Sequence, residues 1–288
     1  MHLVNFSNLS KESVEEIFKI ADCLKNEPNR YRQLLQGKRF ILFFPEGSIR
    51  TRVTFEGGIE SLGGKTILFP PAALDKKEAL CDVLGYVNNW VEAVIVRHAD
   101  HQKVLSMAEQ SSIPIINGMT SENHPCEILS DLYALRARYK NYTDKRYTFV
   151  GECGNISKTW VEAARVMELS FNHVFFEEER IKETDDAFYV FSTSLDAVIE
   201  KSDIVLTDPV PDSIRTPEYI DQYQITLERM RRTPEGSCLN PCPPFYRGAE
   251  VSKEAIDSAY FVGYAFKKDL LVVQQAVLLY CMGINLEV

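Results

Sequence analysis

Several features that would place a protein in a class at a glance are missing from this chain. No apolar run approaches the roughly eighteen uninterrupted residues of a membrane span, so no membrane partner is expected. The glycine signatures GxxxxGK[ST] and GxGxxG are absent. GECGN, which follows an apolar run, is too short a glycine signal to support a nucleotide-dependent oxidoreductase. Basic charge is also in deficit: 41 acidic against 32 basic residues leave a net charge of −9. That balance argues against a nucleic acid held on a broad basic surface, while leaving room for a local basic pocket for a small anion. The seven cysteines, at positions 23, 81, 126, 153, 238, 242 and 281, are odd in number and form no CxxC pair. Most are read as reduced, buried, small apolar residues. No metal site and no cofactor is expected. The opening MHLVNFSNLSKESVEEIF lacks the basic start and apolar stretch of a signal peptide and reads instead as a capped amphipathic helix, so the expected location is the cytoplasm.

What is present fits an ordinary globular composition, 45% hydrophobic and 25% charged over 288 residues. Single cores stop growing near ~250 residues, so two domains are expected. Short runs rich in β-branched and aromatic residues alternate with helical patterns, the mark of parallel βαβ units. The pattern predicts strands at Lys38 to Phe44, Lys65 to Phe69, Ala93 to Val96 and Ile113 to Ile116. Helices are predicted between them at Thr51 to Leu62, Lys76 to Asn89 and Gln102 to Gln110, followed by Cys126 to Tyr139. The polar stretch KNYTDK, Lys140 to Lys145, is the expected hinge.

A second series has strands at Tyr147 to Val150, His173 to Phe176, Ile204 to Leu206 and Ser237 to Leu239. Its helices are expected at Thr159 to Leu169, Leu195 to Lys201, Glu218 to Arg231 and Lys268 to Cys281. The expectation is an α/β fold of two parallel-sheet αβα domains linked by helices, over residues 1–140 and 141–265. Residues 266–288 would form an apolar helix returning to the first domain.

Three segments carry chemistry. In FFPEGSIRTRVTFEGG a strand ends at Phe44 and a helix begins just past Gly47, which puts Ser48, Arg50, Thr51 and Arg52 at a helix N-terminus, where free N–H groups and the helix dipole favour an anion. The plain alternative is a serine-capped helix with two exposed arginines. In AVIVRH, Arg97 and His98 fall at the carboxyl end of a strand, where ligands gather in open parallel sheets; the alternative is a structural arginine at a sheet edge. In NGMTSENHPCEILSDL, Pro125 suits the first turn of a helix and His124 lies at its entrance, the alternative being a capping or core histidine.

Together, and in this order, SIRTR, VIVRH and HPCE resemble the signature of the aspartate/ornithine carbamoyltransferase family: a Ser-Thr-Arg-Thr-Arg turn, a later strand ending in arginine, and His-Pro-x-Gln. The likeness continues through LDKKEALCDVL, VGECGNISKTW, VLTD and PCPPFYRGAEV, from about Phe6 to Cys281. It implies transfer of a carbamoyl group from carbamoyl phosphate to an amine, with the active site in a crevice between the domains. Carbamoyl phosphate is a reactive mixed anhydride, so positioning and charge stabilisation suffice. The resemblance implies phosphate binding by Ser48, Ile49, Arg50, Thr51 and Arg97, and hydrogen bonds to the carbamoyl oxygen from Thr51, Arg97 and His124. It also implies a homotrimer, because in the family a lysine of the LDKKEALCDVL loop enters the neighbouring subunit's phosphate site. Lys76 and Lys77 are the candidates, Lys77 being the one carried forward. Alternatively both face water at the start of a helix, against its dipole.

The departures from the family pattern fall at particular positions. Ile49 replaces a threonine, and Glu127 stands where the family has glutamine, still able to accept from the carbamoyl NH2 but bringing charge near a phosphate. On the acceptor side, Asn155 resembles the asparagine that contacts the acceptor carboxylate, and Asp208 in VLTD the ornithine branch's amino-binding aspartate. Cys242 resembles the cysteine of that branch's His-Cys-Leu-Pro segment, with Pro241 and Pro243 replacing its histidine and leucine. The Ser-Met-Gly element of ornithine enzymes is absent. These residues imply an amino acid acceptor, ornithine or a related diamino acid. The rival readings are an aspartate-type acceptor and a catalytically inactive regulatory or scaffolding member of the fold.

Overall fold

A computed structural model describes residues 1–181 and 187–286. Among them the apolar runs form β1 (Arg39–Phe43), β2 (Lys65–Phe69), β3 (Ala93–Arg97), β4 (Ile115–Met119), β5 (Arg146–Val150), β6 (Ser170–Val174), β7 (Tyr189–Ser192), β8 (Ile204–Thr207) and β9 (Cys238–Pro241). They make two sheets, ordered β2-β1-β3-β4 and β7-β6-β5-β8-β9. Every strand pairing in both is parallel. This is the two-sheet α/β architecture expected from the alternating pattern. RFILF and AVIVR are apolar on both faces because helices cover both sides of such a sheet.

The chain divides into two compact units. The first comprises Met1–Tyr133 and the segment from Lys268 onward. Its N-terminal helix Lys11–Asn26 is capped by Ser10, whose Oγ accepts from Ser13 N at 3.2 Å. Val14, Ile17, Phe18, Ala21 and Leu24 recur at helical spacing and are buried, each large one contributing roughly 2 kcal/mol. Helix Leu270–Cys281, apolar nearly all round, packs on that helix and on helix Ile49–Ser61. Gln275 Nε2 donates to Gly58 O at 2.8 Å and to Ser61 Oγ at 2.7 Å. A Cβ on Gly58 would lie 3.1 Å from Gln275 Cγ, so a larger residue there would require the Gln275 side chain to give way.

The two edges of the first sheet differ. Leu3 bridges to Ile116, with Leu3 N donating to Ile115 O at 3.0 Å, so the N-terminal segment covers the β4 edge. The β2 edge carries Ile67, Leu68 and Phe69, all more than a third exposed.

The second unit, Ala134–Lys267, holds the other sheet. The division falls inside helix Pro125–Arg138, and KNYTDK contributes a single tight turn, Tyr142–Asp144, to the second unit. Three local expectations are corrected. β7 was not foreseen: it is four residues long, lies at the sheet edge and exposes Val190. The helix expected over Glu218 to Arg231 is two helices, Pro217–Tyr223 and Leu227–Arg231. Ile225 leaves the helical path to pair with a later loop, its N donating to Glu250 O at 2.9 Å, and Thr226 caps the second helix by accepting from Arg229 N at 3.2 Å. The helix expected from Lys76 begins only at Leu80 and ends at Val87.

Candidate active site

In the first sheet the chain steps from β1 to its neighbour β2, then crosses back to β3 on the other side of β1. That reversal opens a crevice outside the carboxyl ends of β1 and β3, the usual ligand position in sheets of this kind. The turn Ser48 to Arg52 follows β1, and Arg97 is the last residue of β3. They meet there, Arg97 Nη1 donating to Ser48 Oγ at 2.9 Å.

This contact bears on the plain alternatives left by the sequence. Ser48 occupies the N-cap position of helix Ile49–Ser61, yet its side chain makes no capping bond and is turned to Arg97 instead. Arg97 is not at a sheet edge either, because β3 lies between β1 and β4. Ser48 and Thr51 are buried, whereas Arg50 and Ile49 face outward. Arg52 Nε bonds Glu56 Oε1 at 2.6 Å one turn along the helix. Of the turn's two guanidiniums, Arg52 is therefore tied to a carboxylate of its own helix, while Arg50 stands exposed at the N-terminus.

His124 is placed by two buried amides, Asn117 on β4 and Asn123 after it. Asn117 Nδ2 donates to Val4 O at 2.8 Å and to Asn123 O at 3.1 Å, and Asn123 Oδ1 accepts from Phe6 N at 3.1 Å. Thr120 N adds a bond to Asn123 O at 2.9 Å. The segment is thereby fixed up to His124, directly before Pro125 at the first helical position. Glu127 is buried in the first turn of that helix, where the dipole favours a carboxylate. Burial pushes the neighbouring Cys126 thiol well up, with Cys281 and Glu127 adding to the effect.

Lys77 does not stand where the helical pattern put it. Lys76 and Lys77 lie in the loop before helix Leu80–Val87, both exposed, so their charges do not sit on its first turn against its dipole. The base of this loop is anchored instead: Asp75 accepts from Lys103 and pairs with His98 Nε2 at 3.1 Å. Hydrogen bonds from Lys103 first and His98 second hold the Asp75 carboxyl below its ordinary range.

The second sheet reverses between β5 and β8. Thr207 Oγ1, at the end of β8, donates to Val150 O, at the end of β5, at 2.6 Å. Asn155 opens helix Asn155–Met167 after β5, Asp208 follows β8, and Cys242 and Pro243 follow β9. Cys242 N donates to Thr207 O at 2.7 Å. The four acceptor-side residues expected from the sequence thus leave the carboxyl ends of three adjacent strands. The two central loops run close together: a Cβ on Gly151 would lie 3.9 Å from Asp208 N, and only 3.0 Å from the Phe149 ring.

Carboxylates dominate this second edge. Half-buried Asp208 is joined by Glu152, whose carboxyl is raised by burial and then by the charge of Glu179. Cys153 N donates to Glu179 Oε2 at 2.8 Å. Further along, buried Glu250 accepts from Tyr246 N in the loop after Cys242, and burial raises its carboxyl. Glu179 and Glu250 were not foreseen; Glu179 sits in a run of three glutamates, and a charge run does not say which member faces inward. Among the described residues no cluster of histidine, cysteine, aspartate and glutamate is arranged to hold a metal, and no helix is long and apolar enough to cross a membrane.

The fold and the residues at its two switch points define a two-domain α/β protein, with arginine and hydroxyl groups at one crevice and carboxylates at the other. Residues 1–137 match the family model described as aspartate/ornithine carbamoyltransferase, carbamoyl-P binding domain. The ornithine carbamoyltransferase of Nitrosomonas eutropha is 28% identical over 298 residues, covering 98% of this chain and 96% of that protein. That of Methanopyrus kandleri is 28% identical over 305 residues, covering 98% and 97%. The crystal structure of ornithine carbamoyltransferase from Burkholderia thailandensis matches with a TM-score of 0.90 at 25% identity, over 99% of both chains. The first 137 residues are thus similar to the carbamoyl phosphate-binding domain of aspartate/ornithine carbamoyltransferases, and the chain over nearly its whole length is similar to ornithine carbamoyltransferases.

Proposed function

We propose that this chain transfers the carbamoyl group of carbamoyl phosphate to the amine of an amino acid, ornithine or a related diamino acid, and releases phosphate. The observation that carries this reading is the Ser48–Arg97 hydrogen bond, which turns a buried hydroxyl and a guanidinium toward one point at a strand-order reversal. Arg50, Arg97, Ser48 and Thr51 bind the phosphate by charge-assisted hydrogen bonds and stabilise it as it leaves. Thr51, Arg97 and His124 donate to the carbamoyl oxygen as it becomes anionic, and Glu127 accepts from the carbamoyl NH2. Asn155 takes the acceptor's carboxylate and Asp208 its α-amino group, with Cys242 and Pro243 lining the same edge.

The test is phosphate release from carbamoyl phosphate against a panel of amino acids, diamino acids and small amines. Turnover confined to acceptors with a free amino group beside the carboxylate supports the assignment. Silence across the panel with carbamoyl phosphate still bound favours the second reading, a non-catalytic member of the fold, for which buried Glu127 in place of glutamine speaks.

We further place the protein in the cytoplasm, on its seven free cysteines, and assign it a homotrimer whose phosphate sites are shared. The uncovered β2 edge is the kind of surface that proteins otherwise protect, and Ile49 and Val53, 70% and 62% exposed on the helix after β1, add apolar area. If Lys77 completes a neighbour's site, Lys77→Ala and Arg50→Ala proteins are each nearly inactive alone, and subunit exchange between them restores activity. Absence of recovery after demonstrated exchange rejects the shared site.

A further inference from the structure

We infer that His173 is a positioning residue for the acceptor: together with Tyr189 it fixes the turn Gly151 to Gly154 that presents Asn155. His173 lies on β6, outside every sequence motif, and is fully buried. Its Nε2 is 2.7 Å from Gly151 O and its Nδ1 is 3.1 Å from the Tyr189 hydroxyl. A carbonyl only accepts, so Nε2 carries the proton and Nδ1 is the bare nitrogen, which makes the Tyr189 hydroxyl the donor to it. The Tyr189 oxygen accepts in turn from Ile181 N at 3.3 Å. The resulting chain runs from the segment after β6, through two buried side chains, to the first carbonyl of the turn.

The rest of the turn's backbone bonding shows why that first carbonyl matters. Gly151 N donates to Val174 O at 3.2 Å, Cys153 N to Glu179 Oε2 at 2.8 Å and Gly154 N to Ser157 Oγ at 2.9 Å, while Ser157 Oγ donates to Glu152 O at 3.0 Å. Of these side-chain partners, Ser157 sits on the turn's own helix and Glu179 on an outer segment. Beside the backbone bond to Val174 O, His173 is the side-chain anchor supplied by the sheet itself. Packed around its ring are Phe149, Phe191 and Tyr189, at centroid distances of 5.7, 5.1 and 6.2 Å. This aromatic packing prevents the imidazole from turning away. Burial also draws its pKa down to about 4, keeping the ring neutral and the donor–acceptor order unchanged near neutral pH. If the turn is loosened, Asn155 loses its fixed approach to the acceptor, while the Ser48 and Arg97 pair in the other sheet is untouched.

This inference rests on the proposed assignment of Asn155, and the experiment separates the two. Hydrogen–deuterium exchange of the peptide covering residues 151–155 is measured in wild type, His173→Leu, His173→Gln and Tyr189→Phe, beside steady-state kinetics with the best acceptor. The expected result for His173→Leu is at least tenfold faster exchange in that peptide, with unchanged exchange over residues 48–52. A tenfold higher acceptor KM should accompany it, with kcat and the carbamoyl phosphate KM within twofold. His173→Gln, whose amide can still donate to Gly151 O, should recover most of both effects. Tyr189→Phe, which leaves the imidazole in place but removes the donor to Nδ1, should give a smaller loosening of the same peptide, and it decides the matter if His173→Leu does not fold. Unchanged exchange in folded His173→Leu or Tyr189→Phe, or a loosened turn with an unaltered acceptor KM, overturns the inference. If wild type turns over no acceptor, the exchange result still decides whether His173 holds the turn, and the functional assignment fails separately.

Discussion

The carboxyl edges of the two sheets have the same geometry and opposite chemistry. Both sheets are parallel, both reverse strand order beside their first strand, and both place loops over that reversal. Over the first sheet the loops bring Ser48, Thr51, Arg50 and Arg97; over the second they bring Asp208, Glu152 and Glu179. The fold therefore supplies a strand-order reversal twice, and a few loop residues set the charge that each one carries. The supports differ as well. In the first sheet the Ser48 hydroxyl meets the Arg97 guanidinium directly, whereas in the second the turn before Asn155 is held from behind by the buried, neutral His173.

The comparison breaks most visibly if charge is removed from the anion side. Arg50→Ala and Arg97→Ala should each lower kcat/KM at least about a hundredfold with the fold intact, because each removes a charged donor to the phosphate dianion. Near-normal kinetics in either folded variant would show that the arginines serve another purpose.

The second edge is probed through stability. The folded-state pKa of His173 lies below the ordinary histidine value, down to about 4. Unfolding therefore takes up a proton between that value and about 6.5, so the stability from burying a neutral ring is complete above pH 6.5 and is lost as pH falls toward 4. Urea unfolding should show wild type losing about 2 kcal/mol more than His173→Gln between roughly pH 7 and 5. Parallel pH profiles for the two proteins would mean that the ring is not held neutral.

Smaller effects sharpen the contrast. Asp208 should disfavour acceptors whose α-amino group is masked, since a carboxylate gains less from a neutral amide N–H than from an ammonium, and N-acetylation of the best acceptor should cost about tenfold in kcat/KM. Equal rates with free and acetylated acceptor contradict that role. Ser48→Ala removes a neutral partner of Arg97 rather than a charge, and a loss of about fivefold is expected, in keeping with roughly 1 kcal/mol for such a bond. A loss as large as that of Arg97→Ala would make Ser48 a principal ligand.

Much of this architecture could be read from residue order. β2 was delimited at both ends and β1, β3, β5 and β8 to within a residue or so, because strands covered on both faces are near-continuous apolar runs. β6 began earlier than expected, because Asn172 and His173 interrupt its apolar character. The break at Ile225 was hidden for a different reason: Pro217 to Arg231 has helical composition, and only pairing with the distant loop at Glu250 draws the chain out of the helix. Similarly, SIRTR and VIVRH announced Ser48 and Arg97 separately, but their contact spans 49 positions and depends on the crossover from β2 to β3. His173 gave no local signal, since a lone histidine within a strand has no motif.

On the proposed function, the first sheet's reversal binds carbamoyl phosphate and the second sheet's does not. Titration calorimetry with carbamoyl phosphate alone, on wild type, Arg97→Ala and Asp208→Asn, tests it most directly. Binding should weaken at least about a hundredfold in Arg97→Ala, since a charged hydrogen bond to a dianion is lost, and stay within twofold of wild type in Asp208→Asn. Equal affinity in wild type and Arg97→Ala, or a greater loss in Asp208→Asn, would contradict the division of labour between the two edges.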